Sequence, residues 1–148
     1  IMSRLKYGEA SDTWSANPLA SAAVLATLDE FETTDVLANG RALKDVFFAG
    51  LNRLKETGLI AKVRGEGMVF GIECADFNGI AAGDIANAIV KASYIGKGDQ
   101  GAIHFLGALA GKVLRVSPPM TMTMEQAKDS LALLLSICED LAASGGTV

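Results

Sequence analysis

Ile60-Ala61-Lys62-Val63-Arg64-Gly65-Glu66-Gly67-Met68-Val69-Phe70-Gly71-Ile72-Glu73-Cys74 is the stretch on which the fold turns. Residues 60–64 and 68–74 read as two short strands, because side chains of a pleated strand point alternately to its two faces. In the second, Met68, Phe70, Ile72 and Cys74 take one face, while Val69, Gly71 and Glu73 take the other. Gly65-Glu66-Gly67 joins the two, its glycines permitting the positive φ of a tight turn. A hairpin with one apolar face must have that face covered.

The flanking segments supply the cover. Asn17 is placed to cap a helix, Pro18 suits its first position, and Ala20, Ala23, Val24, Thr27, Leu28 and Phe31 recur at helical spacing. Thr33, Thr34 and Asp35 break and re-cap the chain. A second helix then carries Leu43, Val46, Phe47, Gly50, Leu51 and Leu54 on one stripe, and Gly58 stops it. Downstream, residues 82–93 form a third helix with Ile85, Ile89 and Val90 inward, and the Gly-rich residues 96–101 a surface loop. Residues 103–106 and 113–116 are two further strand candidates. In the last helix Thr123 and Gln126 make a capping box, followed by Ala127, Leu131, Leu134, Leu135, Cys138, Leu141 and Ala142 on one face. The order is helix, helix, strand, strand, helix, strand, strand, helix. It predicts an α+β fold, a small mostly antiparallel sheet with helices packed on one face.

Composition narrows the function. In 148 residues, 50% apolar, 13 Lys+Arg stand against 17 Asp+Glu, for a net charge of −4. Neither nucleic acid nor an anionic membrane surface is an expected partner, since both demand a clustered basic surface. No apolar run reaches bilayer length and residues 1–6 lack the apolar stretch of a signal peptide, so the protein is expected to be cytoplasmic. Cys74 and Cys138 sit in apolar patterns and read as reduced core residues. His104, the only histidine, has no partner at metal-ligand spacing, so no metal site is expected. The chain opens on Ile1 and closes on Ser144-Gly145-Gly146-Thr147-Val148, read as a flexible tail; it is expected to be part of a longer polypeptide.

Three places could carry chemistry. Thr13-Trp14-Ser15 precedes the Asn17-Pro18 cap, where free N–H groups and hydroxyls suit either an anion or ordinary capping. Arg115 alternates with Leu114 and Val116 in a strand that Ser117-Pro118-Pro119 ends, so its guanidinium suits a carboxylate, from a ligand or from a structural ion pair. Arg64-Gly65-Glu66-Gly67 is hairpin chemistry rather than a phosphate loop, since no helix follows it. His104 reads as a strand residue more readily than as a catalytic base, and none of the eight lysines looks like a desolvated Schiff-base amine. No catalytic residue is assigned.

Three segments together resemble class III aminotransferases. Thr13-Trp14-Ser15-Ala16-Asn17-Pro18-Leu19-Ala20-Ser21-Ala22-Ala23 is similar to the family's Thr-aromatic-Gly-Gly-Asn-Pro-Leu-Ala-Cys-Ala-Ala stretch. Residues 63–73 resemble its Val-Arg-Gly-x-Gly-x-x-x-Gly-Ile-Glu hairpin, and residues 113–123 its Leu-Arg-x-Ser-Pro-Pro-Leu-x-Ile-Thr ending. The departures are Ser15-Ala16 for the frequent Gly-Gly, and Asp12 where some members have a hydroxyl residue.

The resemblance implies fold type I, pyridoxal phosphate as cofactor, and a homodimer with active sites at the subunit interface. It divides the chain into residues 1–32, an interface loop and helix from the end of the large domain, residues 33–143, a C-terminal small domain, and residues 144–148. It implies that Thr13 binds the cofactor phosphate of the neighbouring subunit and that Arg115 holds a substrate carboxylate. The implied reaction passes an amino group from an amino acid or amine to an oxo acid. In that family the lysine that carries the cofactor and the aspartate paired with its pyridine nitrogen precede the Thr13 segment. With 12 residues before Thr13, this fragment is expected to lack them and to be inactive alone. The reading that competes is a stand-alone α+β module for small-ligand binding or dimerisation, without catalysis.

Overall fold

The computed structural model describes residues 6, 17–108 and 110–148, and the chain divides into two compact units, 1–35 and 36–148. The described part of the first is one helix, α1 (Pro18–Thr33), with Pro at its start and the Asn17 side chain accepting from the Ala20 N–H at 3.1 Å. None of its residues is buried, Leu19 least of all at 82% exposure. The inward stripe that its spacing predicts therefore meets no core among the described residues of its own unit.

The second unit begins with α2 (Val36–Arg53), which buries Val36, Gly40, Leu43, Phe47 and Leu51 at intervals of three and four. A 3-10 turn, Leu54–Thr57, follows, and Gly58 closes it at a φ of 78° that a side chain would resist. Strands β1 (Ile60–Glu66) and β2 (Val69–Cys74) are antiparallel, from Glu66 opposite Val69 to Ile60 opposite Cys74. Gly67 (φ 57°) and Met68 make the two-residue turn. A bulge between Ile60 and Lys62 lets Ile60 and Val63 both point inward although three positions separate them. Strand β3 (Val113–Val116) pairs antiparallel with β2, giving the sheet order β1-β2-β3.

Phe70, Ile72 and Cys74 alternate into the core with Leu114 and Val116 beside them, and the Phe70 ring stacks on Phe47 of α2 with centroids 6.1 Å apart. Helix α3 (Ala82–Ile95) buries Ala82, Ile85, Ala86, Ile89 and Ser93; α4 (Met124–Ala143) buries Ala127, Leu131, Leu134, Leu135, Ile137, Cys138 and Leu141. Both halves of the α4 capping box form, Gln126 N–H to Thr123 Oγ1 at 3.1 Å and Thr123 N–H to Gln126 Oε1 at 2.9 Å. These helices share one core with the inner sheet face, and the opposite face stays open. The architecture is the expected α+β one.

One strand is corrected. Residues 103–106 join no sheet, because the Ile103 N–H donates instead to the Ser93 carbonyl near the end of α3, at 2.8 Å. His104 then lies edge-on to Tyr94, ring centroids 5.8 Å apart, so this run follows the helix and leaves β3 as the sheet edge. Close to the chain terminus, Gly146 is seated on the core. The Gly146 N–H donates to the Leu141 carbonyl at 2.8 Å, and Gly146 is so close to Ile80, Ile85 and Phe77 that a Cβ there would stand 3.0 to 3.3 Å from them.

Candidate functional site

The open face of the sheet is a row of charges laid out by register. Arg64 on β1, Gly71 on β2 and Arg115 on β3 stand side by side, and Lys62, Glu73 and Val113 form the next row. Gly71 carries no side chain, so the Arg64 stem lies across it, its Cγ and Nε 3.7 and 3.8 Å from where a Cβ would be. That path brings Arg64 Nη1 to Glu73 Oε2 at 2.9 Å; Lys112 Nζ reaches Glu73 Oε1 at 2.9 Å from just before β3. One carboxylate thus ties all three strands. The Lys112 bond first, then that of Arg64, holds the Glu73 carboxyl below the ordinary carboxylate range, and the same contact raises Lys112. At the hairpin end Lys44 of α2 pairs with Glu66, which lowers the Glu66 pKa.

Arg115 stands apart from this network. Leu114 and Val116 on either side are buried, and Arg115 points the other way, exposed, as its alternation predicts. Its guanidinium has no ion pair or hydrogen bond among the described residues, so the structural ion pair that competed for it is not made. Residue 115 is also among the lining of a cavity of about 400 Å³. Phe47 and Leu51 of α2, Phe105, Met122, and Leu131 and Leu134 of α4 make the wall largely apolar, with Ser117, Ser130 and His104 as polar neighbours. An exposed, unpaired guanidinium on a strand that borders a mostly apolar cavity suits a carboxylate on a carbon skeleton.

Beyond β3 the chain is held by a residue that the sequence reading did not single out. Asn39 of α2 donates both amide hydrogens to the loop, to the Met120 carbonyl at 2.6 Å and the Met122 carbonyl at 2.9 Å. An asparagine inside a helix 81 positions away gives no local signal of this. Glu73 was likewise read only as an open-face residue; the signal that could have found its role was the basic residues before and within the neighbouring strands.

Other candidates fall where their chemistry is modest. His104 is exposed, with Tyr94 as its only ring contact, and no carboxylate hydrogen-bonds it among the described residues. The eight lysines are all described and none is buried or lines the cavity: Lys97, for instance, is held by Asp140 and Ser136, each at 2.6 Å. Burial pushes the Cys74 thiol up to about 11 and the Cys138 thiol up to about 12, which keeps both as neutral core groups. Arg64-Gly65-Glu66-Gly67 is part of the hairpin. No group of His, Cys, Asp and Glu among the described residues could hold a metal ion, and no helix among them is long and apolar enough to cross a membrane. Thr13, the residue implied for cofactor binding, lies outside the described residues.

Comparison with known proteins says to which family this α+β chain with its unpaired strand arginine belongs. Residues 1–138 match the family model for class-III aminotransferases. The chain belongs to that family. An acetylornithine aminotransferase from Agrobacterium fabrum is 31% identical over 144 residues, 95% of this chain and 32% of that protein. An alanine/serine racemase from Pyrococcus horikoshii is 30% identical over 134 residues, 90% of this chain and 27% of that one. Among solved structures, an acetylornithine aminotransferase from Elizabethkingia anophelis superposes with a TM-score of 0.71 at 26% identity, covering 95% of this chain and 34% of the other. The chain spans about a third or less of the length of these relatives.

Proposed function

We propose that the chain is the C-terminal portion of a pyridoxal-phosphate-dependent transaminase of fold type I, which passes an amino group between an amino acid or amine and an oxo acid. The observation that carries this reading is Arg115: on a face where Arg64 and Lys112 are both engaged by Glu73, its guanidinium has no protein partner among the described residues, and residue 115 is part of the cavity lining. Its planar fork is suited to meet a substrate carboxylate with two charge-assisted hydrogen bonds, fixing the orientation of the carbon that reacts. The cofactor, when bound, supplies the electron sink for the transfer.

This chain's share is binding and orientation. No lysine is buried or lines the cavity, which supports placing the cofactor-bearing lysine elsewhere in the polypeptide and the fragment being inactive alone. Thr13 is proposed as the phosphate contact across a homodimer interface, on the family likeness of residues 13–23. The division into a large-domain segment, residues 1–32, and a small domain, residues 33–143, is supported by the two compact units. A cytoplasmic location accords with the sequence reading. The family match over residues 1–138 favours this reading over a stand-alone binding or dimerisation module.

A second reaction class deserves a place in the assay, because relatives named as alanine/serine and leucine/methionine racemases are 30% and 31% identical to this chain. Both chemistries can take an amino acid with a carboxylate as substrate, so the role proposed for Arg115 suits either; oxo-acid formation distinguishes transfer from inversion at the α-carbon. In the full-length enzyme, Arg115→Ala is expected to lower kcat/KM for carboxylate donors by roughly 30-fold or more, the effect of about 2 kcal/mol lost in the transition state. Amines without a carboxylate should lose much less, and cofactor absorbance should stay intact. Equal loss for all donors, or failure to fold, would make Arg115 a structural residue.

A further inference from the structure

The loop that follows Arg115 has an unusual way of being held. Pro118 and Pro119 have no N–H and cannot continue a ladder, so the chain leaves the sheet. Within residues 118–122 a single turn bond forms, Met122 N–H to the Pro119 carbonyl at 3.2 Å. The Met120 and Met122 carbonyls are left to find donors, and both find the same one, the Asn39 amide nitrogen. A carboxamide carries two N–H donors on that nitrogen, and two carbonyl oxygens opposite it admit no other orientation. Among the described residues, no other hydrogen bond joins residues 118–122 to another element. Next to Asn39, Gly40 is buried and lets the Met120 thioether lie on α2, its sulfur 3.1 Å from where a Cβ would be. Helix and loop touch at the place where the loop's polar groups are tied.

The same loop is one wall of the cavity. Pro118, Pro119 and Met122 line it together with Arg115, whereas Asn39 does not. We infer that Asn39 is a positioning residue for substrate: it acts through residues 118–122, holding the part of the cavity wall that follows Arg115 in the chain. The inference rests on the reading of Arg115 as the carboxylate holder. It adds a residue more than 70 positions upstream whose effect should appear in substrate affinity and not in the chemical step.

The test uses the full-length enzyme with Asn39→Asp, which keeps the size and replaces the donor by an oxygen facing two carbonyls, and Asn39→Gln, which keeps the donor. Hydrogen exchange is followed by mass spectrometry at the amides of residues 120–123 and at the hairpin, residues 60–74. Steady-state kinetics is run with carboxylate donors. Asn39→Asp should speed exchange in residues 120–123 by at least about fivefold, leave the hairpin unchanged, and raise KM by about five- to tenfold with kcat within about twofold. Asn39→Gln should recover most of both effects. Unchanged loop exchange with unchanged KM overturns the inference. Equal acceleration of loop and hairpin, with kcat and KM both altered, also overturns it, because the residue is then merely structural. If the wild-type enzyme turns over no donor, the transaminase reading fails and the substrate half of the inference falls with it; the exchange result still decides whether Asn39 holds the loop.

Discussion

Replacing Gly65 by alanine would place a methyl group 2.5 Å from the Val69 carbonyl oxygen, 2.8 Å from Phe70 Cδ1 and 2.9 Å from Phe70 Cα. Gly65 is opposite Phe70 in the ladder, so the methyl points to the core face where that ring lies against Phe47. Two of the three obstructing atoms are backbone, and relief requires the hairpin to part or the stacked rings to shift. Overpacking of this kind costs about 1–3 kcal/mol, and an obstacle that cannot rotate away argues for the upper half of that range. The reduced freedom of the unfolded alanine chain returns about 0.4–1 kcal/mol. The net is a loss of about 2 kcal/mol, or roughly 6–8 °C in Tm for a chain of this size. Gly71→Ala is the matched control, one hairpin and the same chemistry. Its methyl would stand on the open face in ordinary contact with Val113 Cγ1 at 3.4 Å and Arg64 Cγ at 3.7 Å, so stability should be unchanged or rise by up to about 1 kcal/mol. Urea and thermal unfolding of both variants, followed by circular dichroism, measure the contrast. Equal stabilities for the two would refute the assignment of Gly65 to the core face of the sheet.

Two further outcomes follow from the charges and thiols. Glu73 has a lowered pKa, so its contribution to stability is present above the ordinary carboxylate value and is lost as pH falls through the lowered one. The urea midpoint of Glu73→Gln should therefore lie below that of the wild type at neutral pH and converge with it in acid; a difference independent of pH would refute the three-strand tie. Lys112, raised by the same contact, should weaken the tie only in alkali, as pH rises through its raised value. Cys74 and Cys138, buried with thiols pushed up to about 11 and about 12, should resist an aromatic disulfide reagent in the native protein and react within minutes in denaturant. Rapid native labelling of either would contradict their burial.

The sequence by itself determined the elements whose signal is local. A period of two separates Phe70, Ile72 and Cys74 from Val69, Gly71 and Glu73, and that alternation is a property of the strand whatever packs on it. The α4 capping box and its stripe of Ala127, Leu131, Leu134, Leu135, Cys138 and Leu141 are legible because every partner lies within a few turns. The same rule predicted that Arg115 turns away from the core. Tertiary structure alone decided the rest. Residues 103–106 have a strand's composition, but the Ile103 N–H was claimed by the Ser93 carbonyl, and no local pattern records which acceptor a segment will meet. Whether Arg115 kept an ion pair depended on where Glu73 spent its two oxygens, on Arg64 and Lys112, three residues brought together by register. Asn39 reads as an unremarkable helix residue until the chain folds back and presents two carbonyls 81 and 83 positions away. Periodicity is written along the chain because it is set by backbone geometry; pairing is not, because a side chain's partner is chosen by what the fold brings within about 3 Å of it.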